Sequence, residues 1–344
     1  MKKGIWLLVV GAVWCFGKVR AENWMARLAD EMYVAEVSIP GAHDAATGSG
    51  WAGLNGPIGN KFAKTQDLTL QELWDVGVRA FDLRPAMHKR YMSLNHGMVA
   101  TDLRLEEVLA QMCGWLRQNP SEFIIIHLLH AGDGDKVKDD YGTRLLEVLN
   151  RKELRGYLVD FKPHLRVGEI RGKILLLSRN SYRGGTIGGI FLHWTGAADW
   201  NRQTQGRIIG ARGANGRVYM QDFSSTFFPG ALQTKVTAIE RMLDFSTSHR
   251  ATNTDEVVWV LNFASAYSKV LKLFGHSIST SNGYRDNAVH THAAFLRYFE
   301  THQKGPTGIV LMDFAGVDKS HGYQVNGRKL VRGIIERNRI DVKC

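Results

Sequence analysis

The sequence predicts an α/β fold in which one (β/α) barrel of the TIM type, irregular or incompletely closed, makes up the mature chain. Three observations predict it. Short runs rich in Val, Ile and Leu recur along the chain. Between them lie segments whose apolar residues repeat at helical spacing. No Pro- or Ser-rich linker divides the 344 residues, and barrels of this size routinely form one domain.

Seven apolar runs are predicted to be buried strands, because each is short and bounded by turn residues. They span 37–39, 80–83, 123–128, 174–177, 217–221, 257–262 and 308–312. Helical spacing predicts helices over 105–116, 143–149, 231–243, 293–299 and 330–335. Near-continuous apolar strands that alternate with helices indicate a parallel sheet covered by helices, and six or more such units favour a barrel over an open sheet.

The first 21 residues are predicted to be a secretory signal peptide. Two lysines precede an apolar run over 5–16, and small Ala21 follows Val19 by two positions. The run is shorter than the roughly 20 residues that a spanning helix needs. Lipid attachment at Cys15 is disfavoured because bulky Trp14 precedes it. We expect a secreted, periplasmic or cell-surface protein whose residues 22–344 form one catalytic domain.

Charge and cysteine content narrow the class of partner. Cleavage would remove four basic residues and lower the formal net charge from +11 to +7, which suits a partner that carries phosphates. There is no run of five or more like charges, so nucleic-acid binding is not predicted. Cys113 and Cys344, the cysteines that would remain, predict no disulfide framework. We expect a monomer.

Polar side chains directly follow the predicted strands, and in a closed barrel such residues converge on one mouth. Two histidines stand at the ends of neighbouring early strands, and an arginine and several carboxylates accompany them. This set suits attack of a hydroxyl on a phosphodiester, with one imidazole as base, the other as acid and a guanidinium offsetting phosphate charge. Each member alone has an ordinary alternative as a loop residue or a rim ion pair. The set comprises His43, Asp44, Asp82, Arg84, His96, Arg179, Asp222, Asn262 and Asp313.

Three motifs carry a family resemblance: SIPGAHD at 38–44, GVRAFDLR at 77–84 and LNHG at 94–97. Shorter pieces follow in order, namely NPSE at 119–122, RGKI at 171–174, QD at 221–222, LNF at 261–263 and MD at 312–313. Together they resemble the X domain of phosphatidylinositol-specific phospholipase C, in its bacterial type. The resemblance runs from about residue 23 to about residue 314.

The resemblance implies catalytic roles. His43 would be the general base on the inositol 2-hydroxyl, oriented by Asp313. His96, with Asp44, would be the general acid that protonates the diacylglycerol oxygen. Arg84 would stabilise the phosphate. The implied products are inositol 1,2-cyclic phosphate and diacylglycerol.

The resemblance also implies how the substrate is held. Arg179 and Asp222 would bind inositol hydroxyls, and Asp82 would serve the substrate site by supporting the arginine. Ser224 stands where an aromatic residue is expected to stack on inositol, and Phe223 or Tyr182 could compensate. The segment HLLH at 127–130 replaces basic residues of the bacterial enzymes and is similar to the protozoan enzymes that cleave glycosylphosphatidylinositol. The expected partner is therefore phosphatidylinositol or its glycosylated form in a membrane surface.

No metal and no other cofactor are expected. Calcium-dependent relatives have an acidic ligand where this chain has Arg84 and an asparagine where it has Asp44. A guanidinium repels a divalent cation and can itself serve the phosphate. The alternative left open is a metal site built from His43, Asp44, Asp82 and His96.

Two apolar loop segments are predicted to contact the bilayer transiently. Trp51, Leu54 and Ile58 lie in a glycine-rich loop over 48–60, and Phe227 and Phe228 form a second candidate. Packing on the barrel rim is the structural alternative for both.

Trp194 could line a pocket, but large aromatic residues are more often core, and it is interpreted as core. The strand residue His127 is interpreted as core or helix-facing rather than catalytic. Two other functions stay open: a metal-dependent phosphodiesterase on a similar barrel, and a non-catalytic barrel that binds inositol or glycans. Arg84 argues against the first. The presence of both histidines and the arginine argues against the second.

Overall fold

The computed structural model describes residues 21–181, 187–192, 194, 204–251, 256–268, 270–273 and 276–338. Its strands are β1 Ile39–Ala42, β2 Ala80–Leu83, β3 Pro85–Met87, β4 Met92–His96, β5 Val99–Arg104, β6 Ile124–Leu128, β7 Leu158–Val159, β8 Ile174–Ser178, β9 Gly189–Leu192, β10 Thr204–Gly210, β11 Asn215–Gln221, β12 Val258–Phe263, β13 Val270–Leu273, β14 His276–Ser279 and β15 Ile309–Met312. Residues 1–20 of the predicted signal peptide, Tyr182 and Cys344 lie outside the described residues.

Its α-helices are α1 Gly56–Ile58, α2 Leu70–Asp75, α3 Leu105–Gln118, α4 Tyr141–Leu149, α5 Lys152–Arg155, α6 Val167–Ile170, α7 Ala231–Ser248, α8 Ser281–Thr301 and α9 Gly327–Arg337. Short 3₁₀ turns cover Ala21–Arg27, Val34–Glu36, Ala45–Gly48, Gly53–Asn55, Gly132–Gly134 and Ala211–Gly213, and a π turn covers Gly59–Ala63. Among the residues described, no helix combines the length and the apolar character needed to cross a bilayer.

Nine strands close into a barrel. Their order is β6, β2, β1, β15, β12, β11, β10, β9 and β8, and β8 pairs back onto β6. Strand β10 runs antiparallel to both of its neighbours, while the other barrel pairs are parallel. The predicted barrel is confirmed. Of the two alternatives, an irregular or an incompletely closed barrel, the structure has the first, because β6 and β8 share five residue pairs and close the ring.

The first strand is displaced from its predicted position of 37–39, because Val37 precedes it and β1 includes Pro40 and Gly41. A proline inside a strand normally argues against that strand, yet Pro40 still accepts a hydrogen bond from the Arg79 amide through its carbonyl oxygen. Gly41 is required by close approach, since a Cβ there would lie 2.6 Å from Leu311 Cδ2. The strand therefore delivers His43 to the mouth directly after Ala42.

A second sheet lies between β2 and α3. Strands β3, β4 and β5 form an antiparallel meander outside the barrel. The prediction that the two histidines stand at the ends of neighbouring strands is therefore wrong. His43 follows β1 of the barrel, whereas His96 ends β4 of the meander. The meander follows Arg84 directly, which brings its strand ends back to the barrel mouth.

A buried ion pair explains two motif residues that carry no chemistry. Arg79 Nε lies 2.8 Å from Glu122 Oε2, and both side chains are fully buried. The Arg79 guanidinium also stacks on Trp74, 3.6 Å from the ring centre. Glu122 Oε1 accepts the Met25 amide, so the pair ties β2, the segment before β6 and the chain's first described turn together.

Candidate active site

The barrel mouth gathers the predicted residues, as the strand order requires. His43 follows β1, Arg84 follows β2, Arg179 follows β8, Asp222 follows β11 and Asp313 follows β15. The meander adds His96, and Asp44 follows His43. Asn262, by contrast, is fully buried within β12, where its side chain contacts Gln221 and the Ile239 carbonyl.

His43 is held by a hydrogen bond at each ring nitrogen. Nδ1 lies 2.7 Å from Asp313 Oδ1, and Nε2 lies 2.7 Å from Arg84 Nη2. Arginine can only donate, so Nε2 is the unprotonated acceptor and Nδ1 carries the proton that is donated to Asp313. This is the tautomer that a general base acting through Nε2 needs.

Burial opposes charge on both members of this pair. Burial, followed by the positive charge of Arg84, holds the pKa of His43 well below its usual value. Burial and the negative charge of Asp44 raise the pKa of Asp313. Because the donor from Arg84 fixes the imidazole proton on Nδ1, Asp313 Oδ1 is an acceptor in this arrangement.

The Arg84 guanidinium lies between His43 and two carboxylates. Its Nε is 2.8 Å from Asp44 Oδ1, and its Nη2 is 2.9 Å from Asp82 Oδ2. Although burial by itself disfavours the charged form, Asp44 and Asp82 raise the pKa of Arg84 above its usual value. Asp44 reaches this position through a left-handed backbone conformation with φ of 44°, which an aspartate tolerates better than most residues.

His96 is oriented by a backbone carbonyl. Its Nδ1 lies 2.7 Å from the carbonyl oxygen of Ala63, which can only accept, so this nitrogen carries a proton. Asp44 Oδ2 is 3.6 Å from the same atom, within ion-pair range but longer than a hydrogen bond. Asp44 thus lies beside His96, as the resemblance implies, but the hydrogen bond of Nδ1 goes to the backbone. Nε2 of His96 faces the Tyr284 hydroxyl at 3.4 Å.

Asp82 is fully buried, which leaves it no direct access to a substrate. Oδ2 accepts from Arg84 and from the Asp44 amide, the latter at 3.1 Å. Oδ1 lies 2.8 Å from His127 Nδ1. Although burial works in the opposite direction, Arg84 and His127 hold the pKa of Asp82 well below its usual value. Asp82 can therefore serve the substrate site only through Arg84, which is the supporting role that the resemblance implies.

The other half of the mouth contains Arg179 and Asp222. Arg179 Nη1 lies 3.6 Å from Asp222 Oδ2, and the indole nitrogen of Trp194 donates to the same oxygen at 3.2 Å. The Arg179 guanidinium also lies over the Trp194 ring at 4.0 Å. Trp194, interpreted as core, is thus the aromatic partner of this pair, whereas the predicted substitute Phe223 is buried.

Buried polar residues that the sequence analysis did not single out hold the site from behind. Gln66 donates through Nε2 to the carbonyl oxygens of His43 and Met312, both at 2.8 Å, and so joins the ends of β1 and β15. Lys235 donates to Gln221 Oε1 at 3.0 Å. A glutamine before a threonine-rich turn and a lysine on an apolar helix face carry no recognisable sequence signal.

A divalent cation is the alternative occupant of this site. Ligand atoms of His43, Asp44 and Asp82 lie close enough together to share one ion. The Arg84 guanidinium contacts all three residues, at 2.7 Å, 2.8 Å and 2.9 Å respectively. A metal ion would have to displace this cation or share its acceptors, so the donor set does not fit a resident metal.

The predicted membrane contacts divide into two groups. Leu54, Ile58, Phe227 and Phe228 are exposed, and Leu54 is 96% exposed. Trp51 is half-buried, and its ring packs so closely on Gly59 that a Cβ there would lie 2.3 Å away. Met98, in the turn that follows His96, is a further exposed apolar residue.

Comparisons with known proteins agree with this arrangement. No protein-family model matches the chain. The 1-phosphatidylinositol phosphodiesterase of Staphylococcus aureus (strain Newman) is 26% identical over 306 residues, which cover 86% of this chain and 88% of the relative. The enzyme of the same name from Listeria monocytogenes is 30% identical over 168 residues, covering 47% of this chain and 50% of the relative.

The fold has a solved counterpart. A structure of the phosphatidylinositol-specific phospholipase C of Staphylococcus aureus superposes with a TM-score of 0.72, at 24% identity, over 93% of this chain and 98% of that one. In sequence and in fold, the chain is therefore a homologue of the bacterial 1-phosphatidylinositol phosphodiesterases, as its motifs predicted.

Proposed function

We propose that the chain is a secreted phosphatidylinositol-specific phospholipase C that cleaves its lipid without a metal, by general acid–base catalysis. The observation that carries the proposal is the arrangement of His43, Arg84 and His96 around Asp44. Asp44 Oδ2 lies 3.5 Å from His43 Nε2 and 3.6 Å from His96 Nδ1, so both imidazoles can serve one phosphodiester with the guanidinium beside it. The names of the homologous enzymes support the choice of substrate.

His43 begins the reaction. Its Nε2 exchanges the Arg84 contact for the inositol 2-hydroxyl and takes that proton, while Asp313 holds Nδ1 and stabilises the imidazolium that forms. The resulting alkoxide attacks phosphorus, and a new bond joins the 2-oxygen to the phosphate. Arg84 offsets charge on the non-bridging oxygens as the bond forms.

His96 completes the reaction. In its protonated form it donates from Nε2 to the diacylglycerol oxygen as the bond from phosphorus to that oxygen breaks. The Ala63 carbonyl holds Nδ1, so the donor points consistently towards the mouth. Diacylglycerol leaves, and inositol 1,2-cyclic phosphate remains. Water can then open the ring slowly by the reverse use of the two imidazoles.

The catalytic proposal is tested with the mature chain on phosphatidylinositol vesicles, with and without EDTA, and phosphorus NMR to identify the product. We expect EDTA-resistant release of the cyclic phosphate. His43→Ala and His96→Ala should each lower kcat by at least about 100-fold, whereas His290→Ala, an exposed control on α8, should not. Full activity in either active-site variant would disprove these roles.

We also propose that the exposed apolar residues beside the mouth enter the bilayer surface transiently. Burial of such side chains stabilises interfacial binding by roughly 25 cal/mol per Å² of apolar area. Leu54→Ser and Phe228→Ser should weaken cosedimentation with vesicles and lower vesicle hydrolysis. Hydrolysis of water-soluble inositol cyclic phosphate should stay unchanged. Equal losses on both substrates would mean that the residues maintain the site rather than the interface.

Export and head-group choice complete the proposal. Export is tested by expression of the full chain and N-terminal sequencing of the protein found outside the inner membrane, with Glu22 expected as the first residue.

The HLLH segment at 127–130, at the end of β6, makes glycosylated phosphatidylinositol the second substrate to assay. Release of an anchored marker protein, at a rate comparable to phosphatidylinositol hydrolysis, would support it.

A further inference from the structure

His127 lies inside the barrel on β6, directly beside Asp82 of β2 in the strand register. Its side chain is 3% exposed. Nδ1 lies 2.8 Å from Asp82 Oδ1, and that carboxylate also accepts from Arg84, so it is ionised. Nδ1 of His127 therefore carries a proton and donates it to Asp82.

The imidazole has no other polar contact among the described residues. Nε2 of His127 is buried and finds no hydrogen-bond partner in the part of the chain that the structure describes. The rings of Trp194, Phe191 and Phe263 surround it, with centroids 5.3, 5.9 and 5.9 Å away. Burial of a polar ring nitrogen without a partner costs free energy, so the presence of the imidazole here calls for an explanation, which the one hydrogen bond of the ring can supply. That hydrogen bond goes to the carboxylate beside the catalytic arginine.

A chain of three hydrogen bonds runs from His127 to the general base. His127 Nδ1 donates to Asp82 Oδ1, Arg84 Nη2 donates to Asp82 Oδ2 at 2.9 Å, and the same Nη2 donates to His43 Nε2 at 2.7 Å. Without His127, the Asp82 carboxylate would lose the hydrogen bond at Oδ1, and only the Asp44 amide and Arg84 itself would hold it, both through Oδ2. Arg84 would then lose a fixed acceptor on the side away from the substrate.

We propose that His127 is a positioning residue that fixes Asp82, and through Asp82 orients Arg84 toward the phosphate and toward His43. The assignment rests on the proposed function for the role of Arg84. His127 itself touches no reacting atom. The aromatic residues around the ring hold it in one orientation, so the position of the donor is determined by packing.

Two replacements separate the hydrogen bond from mere filling of space. In His127→Asn the side-chain amide can donate from nearly the position of Nδ1, whereas His127→Leu fills the pocket without a donor. We expect His127→Leu to lower kcat by about 10- to 100-fold, as loss of an outer orienting partner does elsewhere. KM should change little, because the interaction with Arg84 is made in the transition state. His127→Asn should recover most of the rate.

A second measurement does not depend on activity. The pKa of His43 in the free protein, followed by NMR, reports how firmly Arg84 is held, because that guanidinium helps to depress it. The groups that face His43 are Asp313, Asp44, Asp82, Arg84, His96 and His127. We expect the pKa to rise toward its ordinary value of 6.5 in His127→Leu and to stay low in His127→Asn.

A matched control is available. His292 is also buried, and its Nδ1 donates to the Val325 carbonyl. Within the described ranges its Nε2 has no hydrogen-bond partner. It lies on α8, outside the series of hydrogen bonds from His127 to His43. His292→Leu should change thermal stability without moving the pKa of His43.

The positioning role is refuted if His127→Leu leaves the pKa of His43 unchanged. It is also refuted if His127→Asn behaves like His127→Leu, which would indicate an effect of imidazole charge. An inactive wild-type enzyme would count against the proposed function alone, since the NMR result decides the positioning role independently.

Discussion

Lys235→Met is expected to stabilise the protein while it impairs the site. Lys235 is fully buried on α7, and its amine donates to Gln221 Oε1 at 3.0 Å. Burial lowers the pKa of this amine from 10.5 to about 7. Methionine is unbranched and of similar volume, so the replacement removes the amine without leaving a large cavity.

The magnitude follows from proton linkage. Between about pH 7 and pH 10.5 the folded protein holds the amine neutral while the unfolded chain holds it charged, so the unfolded state binds more protons and wild-type stability rises with pH. One proton is worth about 1.4 kcal/mol per pH unit. The buried Lys235 amine therefore lowers the free energy of unfolding of the wild-type protein by roughly 5 kcal/mol at pH 7, and this effect vanishes near pH 10.5. The replacement also removes the hydrogen bond from Lys235 to Gln221 Oε1, although that oxygen still accepts from the Phe223 amide. This loss offsets about 1 kcal/mol of the gain in stability.

Urea denaturation at pH 7 and pH 9.5 gives the free energy of unfolding of the wild-type protein and of Lys235→Met. We expect Lys235→Met to be more stable than wild type by about 4 kcal/mol at pH 7, and the difference to shrink by most of that amount at pH 9.5. Lys329→Met, at an exposed position, should show no such pH dependence. A Lys235→Met difference that stays constant with pH would refute a buried neutral amine. Lys235 also helps to lower the pKa of Asp313, so activity of the variant should fall first at acid pH.

Three further predictions follow from the site and the core. Arg84→Lys should lower kcat by about 100- to 1,000-fold, the usual effect of removing a donor that serves transition-state charge, and a smaller loss than tenfold would contradict its place at the phosphate. Because burial and Arg84 hold the pKa of His43 well below its usual value, the acid limb of the kcat/KM profile should lie below pH 6.5, and a limb above that value would exclude His43 as the base. Glu122→Gln removes the carboxylate that pairs with buried Arg79. It should lower the free energy of unfolding, measured by urea denaturation, by about 3–5 kcal/mol. The exposed control Glu107→Gln should change this free energy by less than about 0.5 kcal/mol.

The barrel was predictable because its buried strands are short apolar runs, which the sequence shows directly. Six of the seven predicted strands coincide with β2, β6, β8, β11, β12 and β15 to within two residues. The antiparallel strand β10 and the β3–β5 meander were not predicted as such. Their residues are a mixture of polar, glycine and apolar types, and their pairing depends on partners that the local pattern does not reveal.

Sequence reasoning found the reactive groups but missed the residues that hold them. His43, Asp44, Arg84, His96 and Asp313 stand in recognisable motifs, and the structure brings them together. The catalytic roles themselves stay predictions. Gln66, His127, Trp194, Lys235 and Tyr284 lie in unremarkable local contexts, where a core or surface interpretation is the reasonable one, and only the closed barrel reveals what they contact.

The chemical groups at the strand ends and their order along the chain can be read from the amino-acid sequence, since motif residues and apolar periodicity are local properties. Which group bonds to which follows from the tertiary structure. The fold places Arg84 on the Nε2 atom of His43, directs the Nδ1 hydrogen bond of His96 to the Ala63 carbonyl, and joins Asp82 to His127. A difference of a few tenths of an ångström in distance decides whether a hydrogen bond forms. Such differences are determined by packing between segments that are far apart in the chain.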